Sequence, residues 1–515
     1  MSILEIKNLS HLYDSKPLFE NASLCINNGE HAGIVGLNGA GKSTFINIIA
    51  GNLGQDSGEV KWNSSIRKGY LDQHADIDRT KTVLDYLRGS FAHLYEQNVR
   101  MEQLYADMSD ITDEKELDIK ITKANNILDM LTREGFFDLD AVIKKVANGL
   151  GVNHFGYDTP VKNLSGGQRA KLLLSKLLLE KPDIMMLDEP TNFLDIEHIA
   201  WLVEFLNSFD GTYLVISHDT AFLDKVCRQI VSIENGSIRK YSGNYTQYRT
   251  QAVENQKQYA DSYIRQQREI EKMEEYIARN SARAATAGMA NSRKKMLGRM
   301  DIIRKPTEIH DAEFLFPHTE LHTKDLLVLK CLEIGYSKAL LPAVNLHLNS
   351  EAKIWIRGTN GVGKTTLLKT LLGKLPPVSG GFSWHIAANL GYLEQDLIFN
   401  NSAENAFSFF QDRFPRYNQK AVRAALAGVG IKGELALKPI INLSGGEQVR
   451  IMLCTLMQKE TNVLVLDEPT NHLDVRAKAA LQKALINYKG AIILVSHETE
   501  FSESICNIVF DAKEK

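Results

Sequence analysis

GLNGAGKST at 36–44 and GTNGVGKTT at 358–366 are the same sentence written twice, and the fold follows from them. Each follows a short apolar run, His31-Ala-Gly-Ile-Val-Gly36 and Lys353-Ile-Trp-Ile-Arg-Gly358. Strand, glycine loop and helix is the setting in which this pattern cradles phosphates on backbone N–H groups at a helix N-terminus. Three further motifs repeat in the same order: LSGGQ (164–168) and LSGGE (443–447), MMLDEPTNFLD (185–195) and LVLDEPTNHLD (464–474), VISHD (215–219) and LVSHE (494–498). A repeat of this length means two copies of one domain, each long enough to bury its own core. The fold class expected is α/β, two P-loop nucleotide-binding domains.

The spacing locates an insertion. Lys42 to Lys364 and Gln73 to Gln395 are both shifts of 322, whereas Ser165 to Ser444 and Asp188 to Asp467 are shifts of 279. The first copy therefore holds 43 extra residues between Gln73 and Ser165. Leu87, Phe91, Leu94, Met101, Leu104 and Met108 recur at helical steps, and a second helical pattern follows Asp113. A helical hairpin over about 84–135 is expected, the alternative being a thickening of the domain's own helical part.

Between the copies, 244–287 contains no Gly or Pro. Tyr259, Tyr263, Ile270, Met273 and Ile277 form one seam, and Met289, Met296, Met300 and Ile303 a second, ended by Pro306. Two antiparallel helices with a turn near 280–290 satisfy both. The expected boundaries are 1–243, a helical linker at 244–305, and 306–515. Because the second helix is short, the base of the first must pack elsewhere.

Each residue type suits its place. The loops supply Gly36, Leu37, Asn38, Gly39, Ala40, Gly41 and Thr44, then Gly358, Thr359, Asn360, Gly361, Val362, Gly363 and Thr366. Lys42 and Lys364 reach the β,γ-phosphates of ATP, and Ser43 and Thr365 offer hydroxyls to Mg2+. Asp188 and Asp467, at strand ends, suit the Mg2+ shell. Glu189 and Glu468, one residue on, can take a proton from an attacking water. Ser165, Gly166, Gly167 and Ser444, Gly445, Gly446 read as a second anion site at helix N-termini.

This set of motifs resembles the ATP-binding-cassette superfamily across both copies. The resemblance implies that Tyr13 and Tyr336 stack on adenine, that Gln73 and Gln395 sense Mg2+ and the attacking water, and that His218 and His497 are switch histidines near the γ-phosphate. It also implies head-to-tail closure within one monomer: Lys42, Glu189 and His218 with Ser444, and Lys364, Glu468 and His497 with Ser165. LSGGE departs from LSGGQ only at Glu447. The DEPTN-x-LD stretches, the intact pair of sites, the long linker and YSGNYTQY (241–248) resemble the ABC-F branch more than a fused importer ATPase. A repair or chromosome ATPase is disfavoured, since CxxC pairs and long heptad arrays are absent from the sequence.

The branch implies action on the ribosome, near the tRNA exit region, with the linker reaching toward ribosomal RNA and P-site tRNA. The chain carries a net charge of −3, yet 277–300 holds Arg279, Arg283, Arg293, Lys294, Lys295 and Arg299 and no acidic residue. One-sided charge of this kind suits RNA phosphates. The short turn near 280–291 favours a general translation factor over a protein that protects against antibiotics, whose linker tips tend to be longer. Five widely spaced cysteines, an N-terminus without a signal pattern and no apolar run of membrane length point to the cytoplasm and away from the membrane.

Overall fold

The computed structural model describes residues 2–13, 16–37, 39–71, 77–108, 113–234, 236–280, 287–300, 312–336, 338–359, 361–395, 399 and 404–512. Each copy is built on a parallel sheet with a small antiparallel sheet beside it. In the first, β1 (Ser2–Tyr13), β2 (Lys16–Asn27) and β4 (Ser57–Trp62) form the antiparallel sheet, ordered β2-β1-β4. The main sheet is β5-β6-β7-β3-β8-β9, from β3 (His31–Val35), β5 (Lys68–Leu71), β6 (Ile184–Asp188), β7 (Thr212–Ile216), β8 (Gln229–Glu234) and β9 (Ser237–Ser242). Only the β8–β9 pairing in it is antiparallel.

The second copy repeats the plan. Strands β10 (Leu327–Glu333), β11 (Val344–Leu348) and β13 (Ser379–Trp384) pair as β11-β10-β13. The parallel sheet runs β14-β15-β16-β12-β17, from β12 (Lys353–Arg357), β14 (Leu390–Leu393), β15 (Val463–Asp467), β16 (Ala491–Val495) and β17 (Ile508–Asp511).

Both faces of each main sheet are covered at its centre, so β3, β6 and β7, like β15 and β16, are buried along nearly their whole length. Strand alternation assigns neighbours to different cores. Ile184 and Met186 join the core shared with the helix Lys42–Ala50, while Met185 and Leu187 join the core shared with the helix Gly166–Glu180. Val463 and Val465 against Leu464 and Leu466 divide the same way. Parallel strands end together, and here they end in chemistry. β3 leads into the glycine loop, β6 into Asp188-Glu189 and β7 into Ser217-His218, with β12, β15 and β16 doing likewise. The P-loops start against a neighbouring backbone: a Cβ on Gly36 would lie 2.6 Å from the Ile233 carbonyl oxygen, and one on Gly358 2.7 Å from that of Ala512.

In the insertion the helices Ala92–Met108 and Glu114–Arg133 pack on each other around Leu94, Met101, Ala124, Leu131 and Leu139. Leu104 and Met108 join this small core, but Leu87 does not. It sits on a separate helix, Val83–Arg88, and packs in the main core. Gly89-Ser90-Phe91 makes a tight 3-10 turn there and resets the helical phase.

The linker begins with the helix Tyr245–Asn280, 36 residues long. At the helical rise that is about 54 Å. Its base is fixed on the first copy. Tyr248 is buried against the main core with its hydroxyl 3.0 Å from Glu234 Oε1, and Thr246 bonds Asp224. Tyr259, Tyr263, Ile270, Met273 and Ile277 form a half-buried stripe on it. The returning helix, Ala287–Leu297, uses the expected second seam only in part: Met289 and Met296 are 57% and 56% exposed, Met300 beyond its end is half-buried, and Ile303 lies outside the described residues. It faces its partner instead through Arg293, whose guanidinium stacks on Tyr276, with Leu297 and Met300 half-buried at the following helical steps.

Gly58 and Gly380 mark the same bend in the two antiparallel sheets, at φ +94° and +70°. A Cβ there would lie 2.4 Å from the Asn8 carbonyl oxygen and 2.0 Å from that of Cys331. Gly58→Ala and Gly380→Ala should each destabilise the chain by about 1–3 kcal/mol, whereas Gly54→Ala, with open space around it, should be neutral within ~0.5 kcal/mol. Denaturant unfolding of the three variants checks this.

A candidate nucleotide site shared by the two copies

A cleft of about 520 Å3 lies between the copies. From the first copy it is lined by Gly39, Gly41, Lys42, Ser43, Thr44, Asp188, Glu189 and His218. From the second come Ser444, Gly445, Gly446, Asn471, Lys478 and Glu498. The expected grouping of Lys42, Glu189 and His218 with Ser444 is thus assembled in space. For the other set, the buried Lys364 has Glu468, Asp195 and Asp467 in electrostatic range, and His497 has Asp195 and Lys171. Asp195 and Lys171 belong to the first copy, and Lys171 lies on the helix that Ser165 caps.

The glycine loops are shaped for an anion. Gly41 and Gly363 take φ +91° and +110° at the N-caps of the helices Lys42–Ala50 and Lys364–Leu371, and neither helix has a side-chain cap. Their first N–H groups are left for a ligand. Both lysines fold back onto the loop. Lys42 Nζ donates to the carbonyls of Gly36 and Leu37 at 3.0 and 3.2 Å, and Lys364 Nζ to those of Gly358 and Thr359 at 2.8 and 3.0 Å. Asn38, Gln73, Asn360 and Arg283 lie outside the described residues, as does the side chain of Tyr13. Tyr336 is 74% exposed, open enough to act as a stacking platform.

The Mg2+ candidates meet in both copies. Ser43 hydrogen-bonds Asp188, and Thr365 Oγ1 donates to Gln395 Oε1 at 3.3 Å. A hydroxyl beside a carboxylate and a hydroxyl beside an amide oxygen are the hard oxygen donors that Mg2+ takes, together with substrate phosphates. The residues present fit Mg·ATP.

Glu189 and Glu468 hold a backbone geometry absent from any motif reading: φ is +49° and +51°. Left-handed backbone is costly for a residue with a side chain and persists where surroundings enforce it. Here the N–H of each glutamate donates to the adjacent strand, to Ile216 and Val495, both at 2.9 Å. The twist swings the carboxyl beneath His218 in one copy and His497 in the other. The His218 backbone N–H donates to Glu189 Oε2 at 3.3 Å, and His218 Nε2 lies 3.6 Å from Oε1. His497 Nε2 is 3.2 Å from Glu468 Oε1 and 3.5 Å from Lys364 Nζ. Burial, then the neighbouring Asp188, pushes the Glu189 carboxyl up to about 8, and burial raises Glu468 as well. Burial and the facing lysine hold His218 near 3 and His497 near 4, so both imidazoles are neutral at pH 7.

The signature serines cap their helices in matching fashion. Ser165 Oγ accepts from the Gln168 N–H, and Gln168 Oε1 accepts from the Ser165 N–H at 2.9 Å. Glu447 does the same for Ser444 at 2.8 Å. One oxygen acceptor serves as well as the other, which accounts for the LSGGE variant. Sequence reading missed Asp195, Asp474, Lys171 and Lys478. The two aspartates close the DEPTN-x-LD motifs, so the repeat itself marked them. Lys42 has Asp474 of the second copy in range just as Lys364 has Asp195 of the first.

At the linker tip, Lys294, Lys295 and Arg299 are exposed, whereas Arg279 pairs with Glu275 at 3.5 Å and Arg293 stacks on Tyr276. The charge is less one-sided than the stretch 277–300 implies, because Glu275 lies just outside it.

A family model described as "ABC transporter" matches residues 19–192 and 341–471, and another with the same description matches 231–316. The chain is 41% identical over 501 residues to the uncharacterized ABC transporter ATP-binding protein YfmM of Bacillus subtilis (strain 168), covering 97% of this chain and 96% of that one. It is 33% identical to ABC transporter F family member 2 of Arabidopsis thaliana, over 99% of this chain and 76% of that one. Among solved structures, the archaeal ribosome recycling factor aABCE1, in complex with the stalk protein aP1, matches with a TM-score of 0.61. That match covers 99% of this chain and 88% of that one at 17% identity, a likeness of fold.

Because Glu189 and Glu468 keep their protons to a higher pH folded than unfolded, the folded chain binds more protons from about 4.5 to 8, and stability falls as pH rises through that window. Replacing both by Gln removes this loss. The thermal midpoint of the nucleotide-free E189Q/E468Q protein should exceed wild type by a margin that grows from pH 5 to pH 8, about 2–4 °C for each kcal/mol relieved. A margin independent of pH would contradict the burial argument.

Proposed function

We propose that this chain, which belongs to the F branch of the ATP-binding-cassette family and hydrolyses ATP with Mg2+, couples closure of its two cassettes to binding of the ribosome. What carries the ribosomal half of this reading is the linker. A helix about 54 Å long is anchored at its base on one cassette, and the helix returning from its far end, with the turn after it, exposes Lys294, Lys295 and Arg299. Charges that far away cannot act on the γ-phosphate, since several screening lengths of ~8 Å intervene. They suit an RNA backbone instead. In the ribosome the tip then faces ribosomal RNA and P-site tRNA, with the cassettes near the tRNA exit. The protein whose fold it shares, aABCE1, is itself described as a ribosome recycling factor. Translation is then modulated by a soluble, cytoplasmic monomer, and the short tip favours a general factor over antibiotic protection.

Within each site the residues divide the work. Lys42 or Lys364 and the loop N–H groups hold the phosphates, and the signature Ser444 or Ser165 of the opposite cassette closes on them. Ser43 and Asp188 in one site, and Thr365, Gln395 and Asp467 in the other, would hold Mg2+, which would supply charge neutralisation at the phosphates and favour the ionised glutamate. Glu189 or Glu468 takes a proton from the attacking water, and the neutral His218 or His497 orients the transferred group. A glutamate that is protonated before loading makes the base dependent on its substrate.

Two outcomes are expected. E189Q/E468Q should bind ATP with an affinity near wild type and lose hydrolysis by about 100-fold or more; a wild-type rate would remove the glutamates from this role. K294A/K295A/R299A should leave the ATPase of the free protein within about two-fold of wild type and cut its stimulation by ribosomes. The salt slope of ribosome binding should also fall, by up to ~0.7–0.9 for each phosphate no longer neutralised. Recovery with membranes, or an unchanged ribosome response, would return the linker to the status of a spacer.

A further inference from the structure

The two sites are not equivalent, and the difference comes from one lysine. The constant shift of 279 residues places Lys478 of the second cassette opposite Ile199 of the first, each in the first turn of the helix that follows the DEPTN-x-LD motif. Lys478 lines the shared cleft with a side chain 13% exposed. Its Nζ donates across the interface to the backbone carbonyl of His218 at 3.3 Å, and within its own cassette to Glu498 Oε1 at 2.6 Å. Ile199 has no polar atom with which to do either. It packs its side chain on the main core of the first cassette.

A second difference accompanies the first. Glu498 stands where the first cassette has Asp219, just after the switch histidine. Asp219 caps the helix Thr220–Val226 by accepting from the Phe222 N–H at 3.0 Å, whereas Glu498 makes no side-chain cap to the helix Thr499–Ile505. Glutamate is longer by one methylene, and its carboxylate goes to Lys478. Lysine and glutamate therefore form a pair within the second cassette, and the lysine has a donor left for the first. Both sites have an aspartate from the other cassette near the P-loop lysine, Asp474 at one and Asp195 at the other. Lys171 of the first cassette also lies in electrostatic range of His497. What distinguishes the Lys42 site is a direct hydrogen bond to the peptide that carries its switch histidine.

We propose that Lys478 is a positioning residue acting in trans: on closure it fixes the His218 peptide, so that the site built on Lys42 hydrolyses ATP faster than the site built on Lys364. The proposal rests on the assignment of His218 and Glu189 to hydrolysis. Lys478 touches a backbone carbonyl and acts only through the loop that it holds. Opening the cassettes breaks this bond, so hydrolysis at the Lys42 site also reports closure more sharply than at the other.

The test is single-turnover hydrolysis of labelled ATP by the full chain, with two ATP bound per molecule. Wild type should show two phases of similar amplitude. In K478M the fast phase should slow by about ten-fold or more, the size of one lost hydrogen bond to a charged donor, with the slow phase and ATP affinity unchanged. K478R should restore most of the fast phase, and I199K/D219E, which transplants the pair, should quicken the slow one. A single phase in wild type, equal slowing of both phases in K478M, or no change in K478M would each overturn the proposal. The E189Q/E468Q protein separates the two ideas. If it still hydrolyses ATP, the glutamate assignment fails while the phase comparison stands. If it is inactive and K478M behaves as wild type, the lysine fails and the glutamates stand.

Discussion

A buried lysine at the mouth of each glycine loop is the constraint from which the rest follows. Lys42 and Lys364 are 9% and 7% exposed, and a buried ammonium is costly unless opposite charge and acceptors surround it. Part of that surrounding is local: loop carbonyls, the glutamate at the strand end and its aspartate neighbour. The remainder comes from the other cassette, Asp474 for Lys42 and Asp195 for Lys364. Neither cassette completes a site alone. Two copies must be present and must face head to tail, and fusing them in one chain guarantees the partner at high local concentration.

Parallel sheets make such a site economical. Three neighbouring strands end at one edge, so three short motifs far apart in sequence converge without long loops. Order, spacing and duplication make this much legible in the sequence. The phosphate loops, the Asp-Glu pairs, the capping serines and the histidines stand where their motifs imply. The 43-residue offset likewise coincides with a helical pair in the first copy.

Other features carry no linear signal. The left-handed φ of Glu189 and Glu468 is imposed by hydrogen bonds to Ile216 and Val495 from a strand nearly thirty positions later. Leu87 continues a helical period on paper, but a 3-10 turn at Gly89–Phe91 breaks the phase and sends it to another core. Met289 and Met296 fit a seam by spacing, yet the face turned inward carries Arg293 on Tyr276. Periodicity records which residues could share a face, and the energetics of the facing partner selects among those faces. Lys478 was hidden for the opposite reason. Attention to what repeats passes over the position where the repeat fails, and its acceptor lies 260 residues away in the other cassette.

The proposed arrangement places each nucleotide between the glycine loop of one cassette and the signature of the other. Counting the ATP retained per chain in paired variants tests this directly, without relying on catalysis. Lys42→Ala with Ser444→Arg damages one composite site twice, so that protein should still retain one ATP. Lys42→Ala with Ser165→Arg damages both sites once each, and it should retain none at the same ATP concentration. The reverse pattern, with one ATP kept by the Lys42 and Ser165 pair and none by the Lys42 and Ser444 pair, would mean that each cassette closes its own site and that the shared arrangement is wrong.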